Sequence, residues 1–523
     1  MRIACAVACS AVCAVVHAQD RYELDLDDLE LGTETREADD PAPAEPEPAP
    51  EPAPEPAPEP APDDSEPEGW RTRARPRVDL EGSFRFRAHR WQRYHLGRDD
   101  APFARFRRST EGIEPIGGCG DMDACPNGPL RFADLRLRLS PSIHVADFVS
   151  LHTTVDVFDG LMLGDAPRDD VIPWSQEGND AITLRRVWAS LRLPSVGELR
   201  VGRMPAHFGL GLVQHAGNGI DDDAGSDVDR IEARGRVGPI TLRAAWDFAG
   251  RGETAGIESP YGDVPFDPSR QDDTRQWTLG LEHTDSSSTV QGGAQLIRRR
   301  QSLENVEGRW VRRDLSVYTP DVWLRVAERG FRFELEGAAH IGSVRDLEQE
   351  RVRIRQGALA LELEQSLMDR RLRFGVRGLV ASGDVQLRLG ERARVDDVGG
   401  TASLFAVHPS HRMDQILWRR LIGQVGGAWV LRPYGSYDVL SDPDQRLDLG
   451  AGVTYSRAID AESTPNADAD LGLEVEVGAN YRYDFASNAR LLLQASYSLL
   501  FPLEGLEPAK PAHGLRLILG LEL

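Results

Sequence analysis

Residues 131–158 read RFADLRLRLSPSIHVADFVSLHTTVDVF. Leu135, Leu137 and Leu139 alternate with Arg136 and Arg138, and after Ser140-Pro141-Ser142 the alternation resumes through Val145, Val149, Leu151, Val155 and Val157. Successive side chains of a strand point to opposite faces, so this pattern sets one face against an apolar medium and the other against a polar one. The same split recurs at 78–89, where Val78, Leu80, Phe84 and Phe86 oppose Asp79, Arg85, Arg87 and His89. It returns at 239–249, 331–341, 371–380 and 489–499.

A soluble sandwich also alternates, with its apolar faces turned to each other. The connections separate the two architectures. Strands read at 78–90, 131–140, 143–157, 182–193, 197–203, 227–236, 239–249, 274–284 and 288–299, and then at 317–327, 331–341, 352–365, 371–381, 426–440, 446–457, 470–484, 489–500 and 514–523. Tight links follow the even strands, as at Ser140-Pro141-Ser142, Val237-Gly238-Pro239, Glu328-Arg329-Gly330 and Ala486-Ser487-Asn488, and longer polar loops follow the odd ones. Short turns on one side and long loops on the other are the pattern of an outer-membrane barrel, and a sandwich has no reason to sort loops by parity. The spacing predicts an all-β transmembrane antiparallel up-and-down barrel of about 18 strands, with 16 compatible with the same argument. Closure removes every sheet edge, as hydrocarbon requires, and at that size side chains alone do not fill the interior.

The remainder of the chain fits export. MRIACAVACSAVCAVVHA, residues 1–18, has a basic start at Arg2, an apolar run and a small-residue end, the pattern of a signal peptide. Residues 19–77 form an acidic, Pro-rich segment with the repeat EPAP, which favours an extended polyproline rod and predicts a disordered periplasmic tail. Residues 20–69 carry 19 acids against two arginines, a net of −17 of the chain's −23, so the acidity belongs to the tail rather than to the barrel at 78–523. The tail offers a docking peptide, YELDLDDLEL, to a periplasmic partner; the barrel implies outer-membrane lipid and the barrel assembly machinery as partners; no basic patch points to nucleic acid. Cys119 and Cys125, close together in an exported polar stretch, are expected to form a disulfide, and a metal site would need more soft ligands than these two.

The polar face supplies the candidate lumen lining: Arg85, Arg87, Arg136, Arg138, Arg192, Arg234, Arg236, Arg243, Arg371, Arg373 and Arg377, met by Glu334, Glu336, Glu362 and Glu364. Taken singly these are hydrated wall and cross-strand pairs; collectively they tune the selection of solutes. Two long loops stand out. Residues 203–230, RMPAHFGLGLVQHAGNGIDDDAGSDVDR, place Met204, Phe208, Leu210, Leu212 and Val213 in what should be a watery loop, so the segment is expected to pack against something. Folded into the barrel mouth it would bring Asp221, Asp222, Asp223, Asp227 and Asp229 to a constriction, or to a calcium site of hard oxygen ligands, although the spacing is not that of an EF-hand. Residues 411–424, HRMDQILWRRLIGQ, follow helical spacing through Met413, Ile416, Leu417, Arg420 and Leu421, and predict a short helix in or over the lumen. His207 and His215 lie near the aspartates without an ordered nucleophile, base and orienter, so no catalytic residues are assigned and an enzyme is not expected.

LRLRLSPSIHVADFVSLHTTVDVFDGLMLGDAP, FAVHPSHRMDQILWRRLIG and above all the segment from GRMPAHFGLG to DVDR resemble an exported barrel family of delta-group Gram-negative bacteria, over residues 78 to 523. The resemblance implies the barrel and no particular substrate. The chain ends LRLILGLEL, alternating correctly but without the terminal Phe typical of outer-membrane barrels. The expectation is a porin-like passive channel for small hydrophilic solutes, the alternative being a plugged structural barrel that anchors a docking tail.

Overall fold

The computed structural model describes residues 76–96, 129–164, 182–193, 197–248, 274–284, 288–306, 309–346, 348–390, 399–507 and 509–523. The leader, the Pro-rich segment and the Cys119/Cys125 pair lie outside the described residues. The strands are β1 (Arg77–Gln92), β2 (Leu130–Ala146), β3 (Val149–Gly164), β4 (Ile182–Leu193), β5 (Gly197–Pro205) and β6 (Asp227–Val237). They continue as β7 (Ile240–Phe248), β8 (Arg275–His283), β9 (Val290–Val306), β10 (Arg309–Glu328), β11 (Phe331–Arg345), β12 (Arg351–Leu367) and β13 (Leu372–Ala381). Then come β14 (Thr401–Ala402), β15 (Ala428–Ser441), β16 (Gln445–Ala458), β17 (Asp470–Ala486), β18 (Ala489–Pro502) and β19 (Ala512–Glu522).

Each wall strand pairs antiparallel with its sequence neighbours, and β1 pairs with both β2 and β19, which closes the sheet. The two-residue β14 lies parallel to β12, outside this sequence, and β13 pairs directly with β15, so the wall has eighteen of the nineteen strands. Alternation decides the faces. Leu279, Ile182 and Val322 stand 61%, 67% and 57% exposed on the outside, whereas Arg85, Arg87 and Arg136 on the inside are almost fully covered. In water such an outer face would be an aggregation surface; in a bilayer it is the surface that hydrocarbon solvates. Outward aromatics mark both rims, Phe248, Trp277, Trp429 and Phe501 toward the long loops and Phe148, Phe331 and Phe485 toward the short turns. No helix among the described residues is long and apolar enough to cross a membrane.

Two expectations about the strands need correction. The first tight turn is not Ser140-Pro141-Ser142: β2 runs through these residues to Ala146, and the turn falls at Asp147-Phe148. Proline in a strand removes one ladder donor, and here the pairing to β3 passes from Leu139–Val155 to Ser142–His152, skipping Pro141, while β1 still pairs Leu80 with it. The second concerns the connection after β9, read as a polar loop over 300–316. β9 and β10 instead stay paired up to Val306 and Arg309, so only residues 307–308 separate them. Polar residues on both faces of a strand signal the end of the bilayer, not the end of the strand.

Candidate functional site

Residues 206–226, between β5 and β6, turn into the barrel. Ala206 N–H donates to Ser226 O at 2.8 Å and Ser226 N–H to His215 O at 2.7 Å, closing the base of the loop. At its tip Gly211 N–H reaches Phe208 O at 3.0 Å, and Gly209 and Gly211 adopt φ of 55° and 84°, which side-chain-bearing residues resist. The tip is seated by Glu336 of β11, whose carboxylate accepts Leu212 N–H at 3.1 Å and also Leu210 N–H. Phe208, Leu212 and Val213 are buried, each contributing about 1.5–3 kcal/mol of burial.

The second half of the loop meets the arginine face of β1 and β2. Arg85 and Arg87 share Asp134 at 2.8 and 2.9 Å and reach on to Asp223 at 3.3 and 2.7 Å. Arg136 donates to the carbonyls of Ile220 at 3.0 Å and Asp222 at 2.6 Å, and Arg138, held by both oxygens of Asp156, donates to Gly217 O at 3.0 Å. Ile220 itself sits over Gly520, where any β-carbon would stand 2.4 Å from its side chain. Asp221 is the hub: Arg87 at 2.9 Å, Arg412 at 2.8 Å, Arg419 at 2.9 Å and Arg516 of β19 all contact it. Burial alone would raise the pKa of Asp221 and Asp223, but the arginines, Arg419 foremost at Asp221 and Arg87 at Asp223, outweigh it and hold both well below the usual carboxylate range.

The described residues between β13 and β15, 382–390 and 399–427, also fold into the barrel. Their centre is a single π-helical turn, Leu417–Ile422, closed by Gly423 in the left-handed conformation, with all six residues buried. Asp414 accepts Trp418 N–H at 3.0 Å and Arg419 N–H at 3.1 Å; burial pushes its carboxyl up to about 6. Glu474 of β17 accepts Gln415 N–H at 2.9 Å and Ile416 N–H at 3.1 Å, and Trp418 donates to Ser456 at 2.9 Å. Phe405, Val407 and Leu421 pack in one apolar cluster with Ala358, Ala360, Leu379 and Ala381, inward residues of β12 and β13. That stretch of inner wall is apolar because a loop covers it.

The two loops join along a seam. His408 N–H donates to Leu212 O at 3.0 Å, Ser410 Oγ to Ala224 O at 2.7 Å, and His411 Nδ1 to Leu210 O at 3.2 Å. Together they pack against inward side chains of β1, β2, β11 to β13, β16, β17 and β19. Open space remains beside the plug along β10 to β19. One cavity of about 680 Å³ opens at the short-turn mouth beside Arg325, Arg332, Glu364, Arg373, Asp438 and Arg482, and another of about 190 Å³ lies deeper beside Arg377, Arg432, Tyr434, Glu476, Asn480 and Arg516. A third concavity, beside Leu242, Leu279, Leu281 and Leu296, is on the outward face and belongs to lipid.

The sequence candidates separate accordingly. Arg85, Arg87, Arg136 and Arg138 grip the first loop rather than line water, Glu336 seats its tip, and Arg243 bonds Gln295 at 2.7 Å. Glu364 and Arg373 line the larger cavity and Arg377 the smaller, Arg332 and Arg377 meet Glu362 at 3.4 and 3.3 Å, and Glu334 is buried against Arg332 at 2.9 Å. Arg234 pairs with Glu232 at 2.5 Å, and Arg192 and Arg236 are exposed near the short-turn end. Arg371 belongs to the exposed turn before β13, not to the wall. Asp221, Asp222 and Asp223 lie in the plug among arginines. Asp227 is held by Arg185 and Arg186 at 2.6 and 2.5 Å at the start of β6, and Asp229 pairs with Arg203 at 2.7 Å on the outward face, so neither joins a constriction. Sequence reading missed Arg412, Arg419 and Arg516 at the hub; basic residues amid apolar helical spacing were the only signal for the first two.

No protein-family model matches the chain, and no curated protein matches it. Among solved structures it is similar to OpdK of Pseudomonas aeruginosa with vanillate, at 12% identity and a TM-score of 0.46, covering 85% of this chain and 98% of that one. A BenF-like porin from Pseudomonas fluorescens gives 11% and 0.47 over 85% and 98%. OmpT, an outer membrane protein of Vibrio cholerae, gives 11% and 0.32 over 86% and 98%.

Proposed function

We propose that this chain is a porin-like outer-membrane barrel that passes small hydrophilic solutes passively along the side of the lumen bounded by β10 to β19. The observation that carries this reading is the pair of cavities beside the packed plug, both walled by charged and hydroxyl or amide side chains. Charges along that path are largely matched, Arg332 and Arg377 by Glu362, Arg432 by Glu476 at 2.6 Å and Arg373 by Asp438 at 3.1 Å. A wall of matched charge favours polar solutes over strongly ionic ones. The segment from GRMPAHFGLG to DVDR, on which the resemblance to the delta-group barrels is strongest, is the plug loop itself, so plug geometry is what such relatives would share.

Reconstitution of refolded protein in planar bilayers tests the channel: discrete conductance steps with weak cation-to-anion preference are expected, and a folded but silent barrel would refute it. A second reading, a structural barrel whose tail at 19–77 docks a periplasmic partner, draws support from the dense plug, and a silent barrel selects it. A hydrolase has one geometric foothold, Ser150 Oγ 2.8 Å from His144 Nδ1 with His144 Nε2 3.1 Å from Asp79. Ser150 is buried and lies in the ladder between His144 and Ser190, where backbone N–H groups are committed to strand pairing and leave no oxyanion donors.

A further inference from the structure

We propose that the seam between the two plug loops is an acid-sensitive latch, in which proton uptake by His215 and His408 undocks the loops from each other and widens the lumen. The two rings sit on opposite sides of the seam with centroids 5.5 Å apart, and His207 lies 5.2 Å beyond His215. Each ring makes the same local bond. Gly217 N–H donates to His215 Nδ1 at 3.1 Å, and Ser410 N–H donates to His408 Nδ1 at 3.1 Å.

An imidazole nitrogen that accepts a hydrogen bond is unprotonated, so the neutral ring carries its proton on Nε2. Adding a second proton turns Nδ1 into a donor facing a donor. The turn at Gly217 presents the stretch that Arg136 and Arg138 grip; the turn at Ser410 presents Ser410 to Ala224 and Arg412 to Asp221. Losing the His408 bond therefore releases contacts that span the seam, and losing the His215 bond frees the first loop's side of it from the wall. His411 differs: its Nδ1 donates to Leu210 O, so it takes a proton on Nε2 without losing that contact.

The surroundings oppose a positive charge. His215 faces Asp222 together with His207, His411 and Arg412. His408 faces His215, His411, His207 and Arg412. From the wall, Glu282 of β8 and Arg243 of β7 face His207, and Glu362 of β12 and Arg377 of β13 face His411. Burial, then the neighbouring cations, lowers His215 to about 4 and His408 well below its ordinary value. A docked histidine with a depressed pKa favours docking fully above about 6.5 and loses that advantage as pH falls toward its docked value. For His215 alone, the docked-to-undocked ratio drops roughly 20-fold between pH 7 and pH 5.

The latch is a property of the plug and is read without flow; its effect on permeation rests on the channel reading. Hydrogen exchange of the full-length refolded protein, corrected for intrinsic rates, follows peptides covering 206–226 and 406–424 at pH 7.5 and pH 5, beside bilayer conductance at the same pH values. The wild type is expected to lose protection in both peptides and gain conductance at pH 5. In the double variant His215→Asn, His408→Asn, each asparagine oxygen accepts the same i+2 N–H as an Asx-turn and cannot titrate, so protection should persist at both pH values. His411→Gln should respond like the wild type. Wild-type protection that does not change with pH overturns the latch, as does a double variant that opens like the wild type. Should the double variant fail to fold, the wild-type and His411→Gln titrations decide alone, a midpoint above 6.5 overturning the proposal. A silent barrel that still loses protection at pH 5 supports the latch while removing the channel.

Discussion

Asp221 shows how much of the plug rests on one side chain. Four arginines from β1, the second loop and β19 converge on it, and an isosteric amide would leave those guanidinium groups facing one another. Removing one partner of a buried ion pair costs about 3–5 kcal/mol. Asp221→Asn should therefore loosen the plug by that order while the strands stay paired: exchange in 206–226 should rise, and the heat-modifiable mobility of the barrel on gels should be unchanged. The neighbours Leu137 and Arg138 make a second test. Leu137 faces outward, and Leu137→Arg places a charge in hydrocarbon at a cost of about 2–4 kcal/mol, readable as a shift in urea midpoint for refolding into lipid. Arg138, by sequence a solvated wall group whose loss folding would tolerate, is 6% exposed, chelates Asp156 at 2.6 and 2.7 Å and clamps Gly217. Arg138→Leu leaves Asp156 with Arg185 at 3.7 Å and should release the first loop without moving that refolding midpoint.

At the scale of elements, the plug loops are held by short local devices rather than by regular structure. The tip around Gly209 is the clearest. Its left-handed backbone costs a β-carbon about 1–2 kcal/mol, and such a carbon would also stand 2.5 Å from a Glu336 carboxylate oxygen. Gly209→Ala is expected to unseat Leu210 and Leu212 from Glu336, raising their amide exchange, and to leave β5 and β6 paired. The second loop has the opposite construction. Helical spacing over 411–424 is realised as one π turn of six residues, because Glu474 takes the amides of Gln415 and Ile416 and Asp414 those of Trp418 and Arg419, ending helical bonding within a turn.

For the whole molecule, wall and plug are separable. The wall is a continuous antiparallel ladder whose outer face is stabilised by lipid, and loop residues 207–225 take no part in its strand pairing. Replacing 207–225 with a short Gly-Ser link should yield a barrel that still folds, whose single-channel conductance rises and loses the response to acid. A barrel that fails to assemble without this loop would show instead that the arginine face of β1 and β2 needs the loop's carboxylates to fold.

That contrast also divides what could be read in advance. The alternation in RFADLRLRLSPSIHVADFVSLHTTVDVF is a local, period-two signal imposed by two solvents, and it sufficed for the strands, their faces and the sidedness of most connections. It misplaced the first turn because Pro141 is a break in hydrogen bonding, not in direction, and it shortened β9 and β10 because strands that leave the bilayer lose their alternation while keeping their pairing. The apolar residues Phe208, Leu212 and Val213 announced that a loop was packed, but a loop does not encode what it packs against. That Asp221 of one loop meets Arg412 and Arg419 of the other and Arg516 of the last strand, and that Asp229 instead faces outward, depends on partners as many as 295 residues apart. No periodic constraint links such positions along the chain; they become neighbours only once the sheet has closed and both loops compete for one interior, which is why the tertiary structure alone decided the plug.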